Sequence, residues 1–226
     1  MAIPNETENA THSHEESPLS RHDLLERWTE IILAVMLGAV ALATAWSGYQ
    51  SARWGGLQSI KFSQAGALRT ESMRASTSAG QLIQVDIGMF NNWVNAWAQG
   101  NEDLVEFYQT RFRPEFEPAF EAWWATDPAN NPDAPDGPLS MPEYKVSKVE
   151  EADQLQLEAE ATFEEGRAAN QQSDDYVLNA VILASVLFLA GIATRFDWLP
   201  VRVAIIVAGM VLLVMGLYNL AVYPIA

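Results

Sequence analysis

Three long stretches without a charged side chain are the strongest constraint on the fold of this chain. They are residues 31–52, 176–194 and 203–226, of 22, 19 and 24 residues. About 20 mainly apolar residues are enough for a helix to cross a bilayer. Because backbone hydrogen bonds in lipid must close within the segment, we expect each stretch to be a helix. The predicted transmembrane helices are residues 28–50, 176–195 and 202–223.

Basic residues near the spans predict their orientation. Arg21 and Arg27 precede the first span, and Arg195 and Arg202 lie in the short connection between the second and third spans. In a three-span topology both segments face the same side, and Lys and Arg in short loops favour the cytoplasm. We therefore expect a cytoplasmic N-terminus, with the middle region and the C-terminus on the outer side.

The N-terminal tail, residues 1–23, is polar and acidic, and it has few large apolar residues. Such a segment cannot bury enough apolar surface to fold, so we expect disorder. His12 and His14 stand two residues apart in this tail. A stable zinc site needs four ordered ligands, so we expect no metal site here.

The middle region, residues 51–175, carries most of the negative charge. From Arg53 to Asp175 there are 21 Asp and Glu against nine Lys and Arg, which gives a net charge of −12 within the −16 of the whole chain. This charge repels nucleic acid, so nucleic acid is not an expected partner.

Two long helical arms are predicted within the middle region. Residues of the first arm recur alternately every four and three positions, which is a heptad rhythm. Its predicted seam is Phe62, Gly66, Arg69, Met73, Ser76, Gly80, Ile83, Ile87, Phe90, Val94 and Trp97. The second arm repeats the rhythm with smaller residues, Ala152, Leu155, Ala159, Thr162, Gly166, Ala169 and Ser173. We expect an all-α membrane protein whose arms form an antiparallel helical hairpin or bundle, with coiled-coil packing, between the first and second spans.

Proline and glycine interrupt the helices between the arms. Residues 126–142 contain Pro at five positions and are predicted to be a loop. Ser140 and Glu143 have the spacing of a capping box, which predicts that the second arm begins near Pro142. We expect the aromatic residues before this loop to form a cluster at the tip: Phe107, Tyr108, Phe112, Phe116, Phe120, Trp123 and Trp124.

The two arms differ in length, so the first arm needs an interruption. Gly55 and Gly56 are one position for a break, and Gly100 with Asn101 is another. Asn101 is followed by two acidic residues, which is typical of a new helix start.

Few residues suggest chemistry. Glu160 and Glu164 share a helical face, but a di-iron centre would also need Glu-x-x-His partners, and the middle region contains no His. Phosphate-binding loops, nucleophile elbows and dinucleotide fingerprints are absent from the sequence. We therefore expect no catalytic residue, cofactor or metal, and a protein that is not an enzyme.

Arg69 and Asp86 are charges on or beside the apolar stripes of the first arm. A half-buried charge needs a partner. Both residues are candidates for ion pairs that fix the register between helices or between subunits.

The end of the first span contains a group of residues typical of a membrane interface. Trp46, Tyr49, Gln50, Arg53 and Trp54 fall where the helix should leave the hydrocarbon. Aromatic rings and Arg favour this depth, so we interpret the group as an interface anchor. Gly55 and Gly56 follow directly and are candidates for a hinge.

The chain resembles a family of uncharacterised bacterial three-span inner-membrane proteins. The motifs that carry the resemblance are "AWSGYQSARW", "FEPAFEAWW" with the Pro-rich loop, and "ANQQSDDYVLNAVILASVLFLAGIATRF". It covers about residues 24 to 220. It implies a bacterial inner-membrane location and a long helical insert between spans one and two, with no assigned activity.

These features favour a non-enzymatic, self-associating scaffold that presents a helical stalk for protein contact. The expected partners are membrane lipid, further copies of the chain and another membrane protein. One alternative is a subunit of an oligomeric ion channel, with Thr44 and Ser47 lining the pore, although the spans lack the ionisable groups that coupled transporters use. A second alternative is a lipid- or metal-binding accessory protein.

Overall fold

A computed structural model describes residues 21–226, with side chains from residue 27 onward. The predicted all-α class is confirmed, because the described part contains helices and no strand. The helices are α1 (Arg21–Ala98), α2 (Glu102–Gln109), α3 (Glu117–Trp124), α4 (Ser147–Ala193) and α5 (Leu199–Val222). A single 3₁₀ turn, Pro138–Ser140, lies between α3 and α4. His12, His14 and nearly all of the predicted tail lie outside the described residues.

Three of these helices, α1, α4 and α5, are long and apolar enough to cross a membrane. The chain divides into two compact units. The first, here called the three-helix unit, contains the described residues up to Ala52 together with Asp174–Ala226. The second, here called the insert, is Arg53–Ser173.

Apolar side chains of α1, α4 and α5 form the core of the three-helix unit. Its buried members are Leu33, Met36, Val40, Ala43, Leu183, Val186, Ala190, Ala193, Ile206 and Leu213. Gly216 lets α5 approach α4 closely, because a Cβ at this position would lie 2.7 Å from Cδ2 of Leu183. Small residues at helix contacts are typical of packing in membranes.

A short chain of hydrogen bonds also joins the three helices. Asn179 donates from Nδ2 to Oγ of Ser47 at 3.1 Å, and Asn219 donates from Nδ2 to Oδ1 of Asn179 at 3.1 Å. Ser47 and Asn179 are fully buried. Such side-chain bonds stabilise membrane helix contacts by about 1 kcal/mol each, and they fix which turns of the helices face each other.

In the insert, α1 and α4 pack side by side in opposite directions. Near one end of the contact, the rings of Phe62 and Phe163 stack with centroids 5.0 Å apart. Ten residues further along α1 and eleven residues earlier in α4, Oγ of Ser72 donates to the backbone oxygen of Ala152 at 2.8 Å. The small-residue seam predicted for the second arm is the face of α4 that is buried or half-buried here.

The seam predicted for the first arm is not the face of α1 that α4 covers between residues 65 and 80. The buried positions there are Ala65, Ser72, Ala75 and Ala79, whereas Gly66, Met73, Ser76 and Gly80 are exposed. The stripe that α4 covers is therefore displaced around α1 by about one residue from the predicted seam. Small side chains on both helices explain this choice, because they let the two backbones come close and bury more surface.

The segment that connects α1 to α4 has a defined backbone structure at each end. α1 ends at Ala98, and Gly100 adopts a φ of +67°, which glycine tolerates without strain. Oδ1 of Asn101 then accepts from the backbone N–H of Leu104 at 3.2 Å, which confirms the predicted helix start. At the other end, α4 begins at Ser147 and not near Pro142.

Candidate functional site

The aromatic cluster predicted for the insert is confirmed in part: Phe112, Phe116, Phe120 and Trp123 are buried together, whereas Phe107 and Trp124 are exposed. Trp93 joins the four buried residues, and we call these five residues the aromatic head. The rings meet mainly edge to face, as Trp93 and Phe120 do at 4.8 Å between centroids. This geometry is the preferred one for aromatic pairs and adds to the free energy of apolar burial.

The Pro-rich loop packs against the aromatic head and against the neighbouring ring of Phe90. Nε1 of Trp123 donates to the backbone oxygen of Pro135 at 2.8 Å. A Cβ on Gly137 would lie 3.5 Å from the ring of Phe90, so the loop backbone passes close to this ring. Pro138 is buried beside it. The segment 126–142 is thus part of the packed structure of the head.

Asp86 forms the polar centre beneath the aromatic head. It is only 2% exposed, and both its oxygens accept from Arg113, at 3.0 Å from Nε and 2.9 Å from Nη2. The hydroxyl of Tyr144 donates to Oδ2 at 2.9 Å. Arg113 also binds Glu115 at 2.7 Å. The two parallel bonds from one guanidinium are the strongest way to pair a buried carboxylate.

This arrangement explains where α4 begins. Tyr144 packs its ring against Phe116, with centroids 5.9 Å apart, while its hydroxyl reaches Asp86. The backbone N–H of Tyr144 donates to the oxygen of Met141 in a turn. Residues 141–146 are therefore used to close the head, and the helix starts only at Ser147.

The network shifts the pKa values of Tyr144 and Glu115 in opposite directions. Burial, followed by the hydrogen bond to Asp86, raises the pKa of the Tyr144 phenol well above its ordinary value. The hydrogen bond from the Ser147 side chain, followed by that from Arg113, lowers the pKa of Glu115. Glu115 therefore stabilises the fold above its ordinary pKa, and this contribution is lost as the pH falls.

Alkaline pH is expected to weaken the insert through Tyr144. A phenol whose pKa is raised by folding stabilises the fold fully below its ordinary pKa of about 10, and that stability is lost as the pH rises through the folded value. Urea unfolding of the full chain, followed by tryptophan fluorescence between pH 8 and 11, measures the loss. Tyr144→Phe keeps the ring but cannot ionise, so its stability should fall less above pH 10. Equal alkaline slopes for both proteins would contradict this assignment.

The two residues predicted to fix register have different partners from each other. Asp86 pairs with Arg113 of the segment between α2 and α3, as described above. The guanidinium of Arg69 lies over the ring of Phe163, 4.8 Å from its centroid, in a cation–π contact across α1 and α4. Lys61 and Glu165 form an additional ion pair between these helices at 2.6 Å.

Sequence reasoning missed Arg113 and Tyr144. Neither lies on a periodic helical face, so the heptad pattern could not select them. The available signal was indirect: Asp86 needed a partner, and Arg113 is one of two basic residues in the aromatic-rich segment.

The interface-anchor candidates do not share one environment. In the three-helix unit, Trp46 and Tyr49 are exposed and their rings lie 5.7 Å apart. Gln50 is buried, and its Oε1 accepts from the backbone N–H of Ala226 at 3.0 Å. In the insert, Arg53 is exposed and Trp54 is half-buried.

The hinge candidates lie within a continuous helix. α1 extends through Gly55 and Gly56 to Ala98. A Cβ on Gly55 would lie 3.7 Å from Oγ of Ser173, and a Cβ on Gly56 would meet nothing within 4 Å. A hinge at these glycines stays a prediction.

Four further residues were considered in the sequence for a pore or a metal site: Thr44, Ser47, Glu160 and Glu164. Ser47 is buried and accepts from Asn179, while Oγ1 of Thr44 is buried with no hydrogen-bond partner among the described residues. Glu160 accepts from Gln156 and Glu164 pairs with Arg167 on exposed faces of α4. Among residues described with side chains, no group of three or more acidic or His residues could hold a metal ion.

An uncharged exposed line runs along α1 beside the face that α4 covers. We call it the open stripe and define it as Ser59, Gly66, Thr70, Met73, Thr77 and Gly80. Met73 is its most prominent member, with 71% of its surface exposed. A Cβ on Gly66 or Gly80 would meet nothing within 4 Å, so the stripe is open to an approaching partner.

The hydroxyl groups of the open stripe are already bonded within the helix. Ser59 donates to the backbone oxygen of Gly55, Thr70 to that of Gly66, and Thr77 to that of Met73, at 2.8–3.0 Å. A partner that covers the stripe would therefore leave no hydroxyl donor unsatisfied, which removes the usual cost of burying polar groups.

No family model, curated protein or solved structure matches this chain. The function must therefore be inferred from the residues and their geometry.

Proposed function

We propose that the chain is a non-enzymatic membrane scaffold that self-associates through the open stripe of α1 and presents the insert for contact with another membrane protein. The observation that carries the proposal is the open stripe itself. It runs from Ser59 to Gly80, which is about 32 Å along the helix at about 1.5 Å per residue.

The charge of the insert favours a second copy of the stripe as its partner. Two copies of an insert with a net charge of −10, from 19 Asp and Glu against nine Lys and Arg, repel each other over most of their surface. The open stripe contains no charged residue and has glycines at two positions, so two helices can approach closely along it. Close approach of small-residue faces is a common way for helices to associate.

We further propose that this scaffold lies in a bacterial inner membrane, with a cytoplasmic N-terminus and with the insert and C-terminus on the outer side. The resemblance described above supports the bacterial location, and the positions of Arg195 and Arg202 support the orientation.

Cysteine cross-linking tests the open stripe directly, because the chain contains no cysteine. Met73→Cys places one thiol on the stripe, and Leu157→Cys places one on α4 with a similar exposure of 66%. Under mild oxidation in detergent or in native membranes, we expect Met73→Cys to form a covalent dimer at least about tenfold faster than Leu157→Cys, because the stripe brings identical positions together.

Bulky residues on the stripe provide the matching loss of function. Gly66→Leu and Gly80→Leu should prevent close approach and shift the mass measured in detergent toward the monomer. Equal cross-linking rates for the two cysteine variants, or a wild-type chain that is strictly monomeric, would overturn the proposal.

The channel and the lipid- or metal-binding accessory protein remain alternatives. The bond between Ser47 and Asn179 occupies one of the two side chains proposed to line a pore, so we favour the scaffold. Single-channel recordings that change with Thr44→Val would instead favour the channel.

A further inference from the structure

A recess of about 330 Å³ opens beside the aromatic head. Its aromatic walls are Phe90, Trp93, Trp97, Trp123 and Trp124. The carboxylate-bearing Asp136 also lines it. Ligand pockets range over about 300–1,000 Å³, so this volume suits a small ligand.

The rings of the recess on α1 stand nearly at right angles to Trp124 of α3. Phe90, Trp93 and Trp97 are nearly parallel along α1, with interplanar angles of 9° and 5° between neighbours. Trp124 of α3 stands at 85° to both Trp93 and Trp97. The recess is thus lined by indoles in two perpendicular orientations, and indole rings are the groups that best attract a methylated ammonium group.

Trp97 and Trp124 leave a large apolar surface uncovered. They are 44% and 41% exposed, although both contact the aromatic head. Nε1 of Trp93 is buried and has no hydrogen-bond partner among the described residues. Packing within the chain does not explain the exposed indoles, since packing would cover them.

The electrostatic surroundings favour a cation. The π face of an indole is negative, and Asp136 adds a full negative charge at the same recess. A neighbouring recess shares Trp97 and is lined by Glu102, Glu106 and Glu117. An anionic or neutral ligand would gain nothing from these charges.

We propose that this recess binds a small organic cation with a methylated ammonium group. The methyl groups contact Trp97 and Trp124, and Asp136 balances the charge. A free choline-like molecule and the headgroup of a choline lipid share this chemistry. The proposal does not depend on self-association.

Titration of the full chain tests the proposal. The protein is purified in a maltoside detergent, which carries no ammonium group, and tryptophan fluorescence and calorimetry follow the addition of choline or tetramethylammonium. The control ligand is 3,3-dimethylbutan-1-ol, which has the shape of choline without its charge. We expect choline to bind at least about tenfold more tightly than this alcohol, because only the cation gains the cation–π and ion-pair energy.

Two variants locate the site, and a third is their control. Trp97→Leu and Asp136→Asn should each weaken choline binding at least about fivefold, through loss of a cation–π face and of the counter-charge. Phe107→Leu should leave it unchanged, because Phe107 is an exposed aromatic of the insert, 46% exposed, that does not line the recess. Asp136 is exposed, so Asp136→Asn tests the site without disturbing the core.

The source of the ligand is resolved with nanodiscs. If the tryptophan fluorescence changes when the protein is moved from detergent into phosphatidylcholine discs but not into phosphatidylethanolamine discs, the ligand is a lipid headgroup. If only soluble choline binds, the ligand is a free metabolite. Both results support the site. Equal binding of choline and the neutral alcohol, no binding of either cation, or an unchanged affinity in Asp136→Asn would overturn it.

Discussion

Replacing Arg113 with Met is expected to lower the free energy of unfolding by about 3–5 kcal/mol, the usual cost of breaking a buried ion pair from one side. Asp86 would remain buried with the Tyr144 hydroxyl as its remaining side-chain donor. An uncompensated charge in that position is more costly than the pair itself is favourable. The aromatic head should loosen first, because Arg113 joins the segment between α2 and α3 to α1.

The opposite substitution should cost less. Asp86→Asn removes the buried charge and keeps the shape, and Arg113 retains Glu115 and partial contact with water, since its side chain is about one-fifth exposed. We expect a loss of about 1.5–3 kcal/mol, the range for hydrogen bonds to charged groups. The double variant, with both Asp86→Asn and Arg113→Met, should be more stable than Arg113→Met alone, because it contains no buried unpaired carboxylate.

Urea unfolding of the full chain in detergent, followed by tryptophan fluorescence, measures these differences. Lys148→Ala is the matched control, because it breaks the exposed pair with Glu151. Exposed pairs contribute about 0–1 kcal/mol. A cost below about 1 kcal/mol for Arg113→Met would show that Asp86 does not depend on this partner.

The sequence was sufficient to predict the elements of the fold that depend on local composition. Uncharged runs predicted the three helices that are long and apolar enough to cross a membrane, because lipid leaves a continuous apolar segment no other regular structure. Asn101 predicted the start of α2, because its side chain caps the helix beside it. The small-residue seam of α4 was correct, because only small side chains allow that backbone approach.

Features that depend on distant partners were not predictable in this way. The first arm has two plausible faces, and the choice of Ala65 and Ser72 over Gly66 and Met73 depends on how α4 fits against them. The capping box at Ser140 was overridden because Tyr144 is drawn toward Asp86 and Phe116. At the candidate site, the need for a partner at Asp86 was foreseeable, but the identity of Arg113 was not.

Adding a methyl group at Gly166 is expected to destabilise the insert by about 1–3 kcal/mol, the cost of overpacking a well-filled contact. The Cβ of Gly166→Ala would lie 2.5 and 2.6 Å from Cδ1 and Cε1 of Phe62, and 3.3 Å from Cβ of Lys61. Phe62 cannot simply turn away, since its ring stacks on Phe163. Thermal unfolding of the full chain in detergent measures the effect.

Gly88→Ala is the matched control, because a Cβ on this exposed position of α1 meets nothing within 4 Å. Alanine there should stabilise the helix by about 0.5–1 kcal/mol, since glycine loses more backbone freedom on folding. Phe62→Leu should relieve part of the cost of Gly166→Ala, so the double variant should lose less than the sum of the single losses. If both alanine variants were equally stabilising, α1 and α4 would not approach as closely at Gly166 as the structure shows. The stripe that α4 covers would then be open to question, and so would the assignment of the open stripe to a second copy.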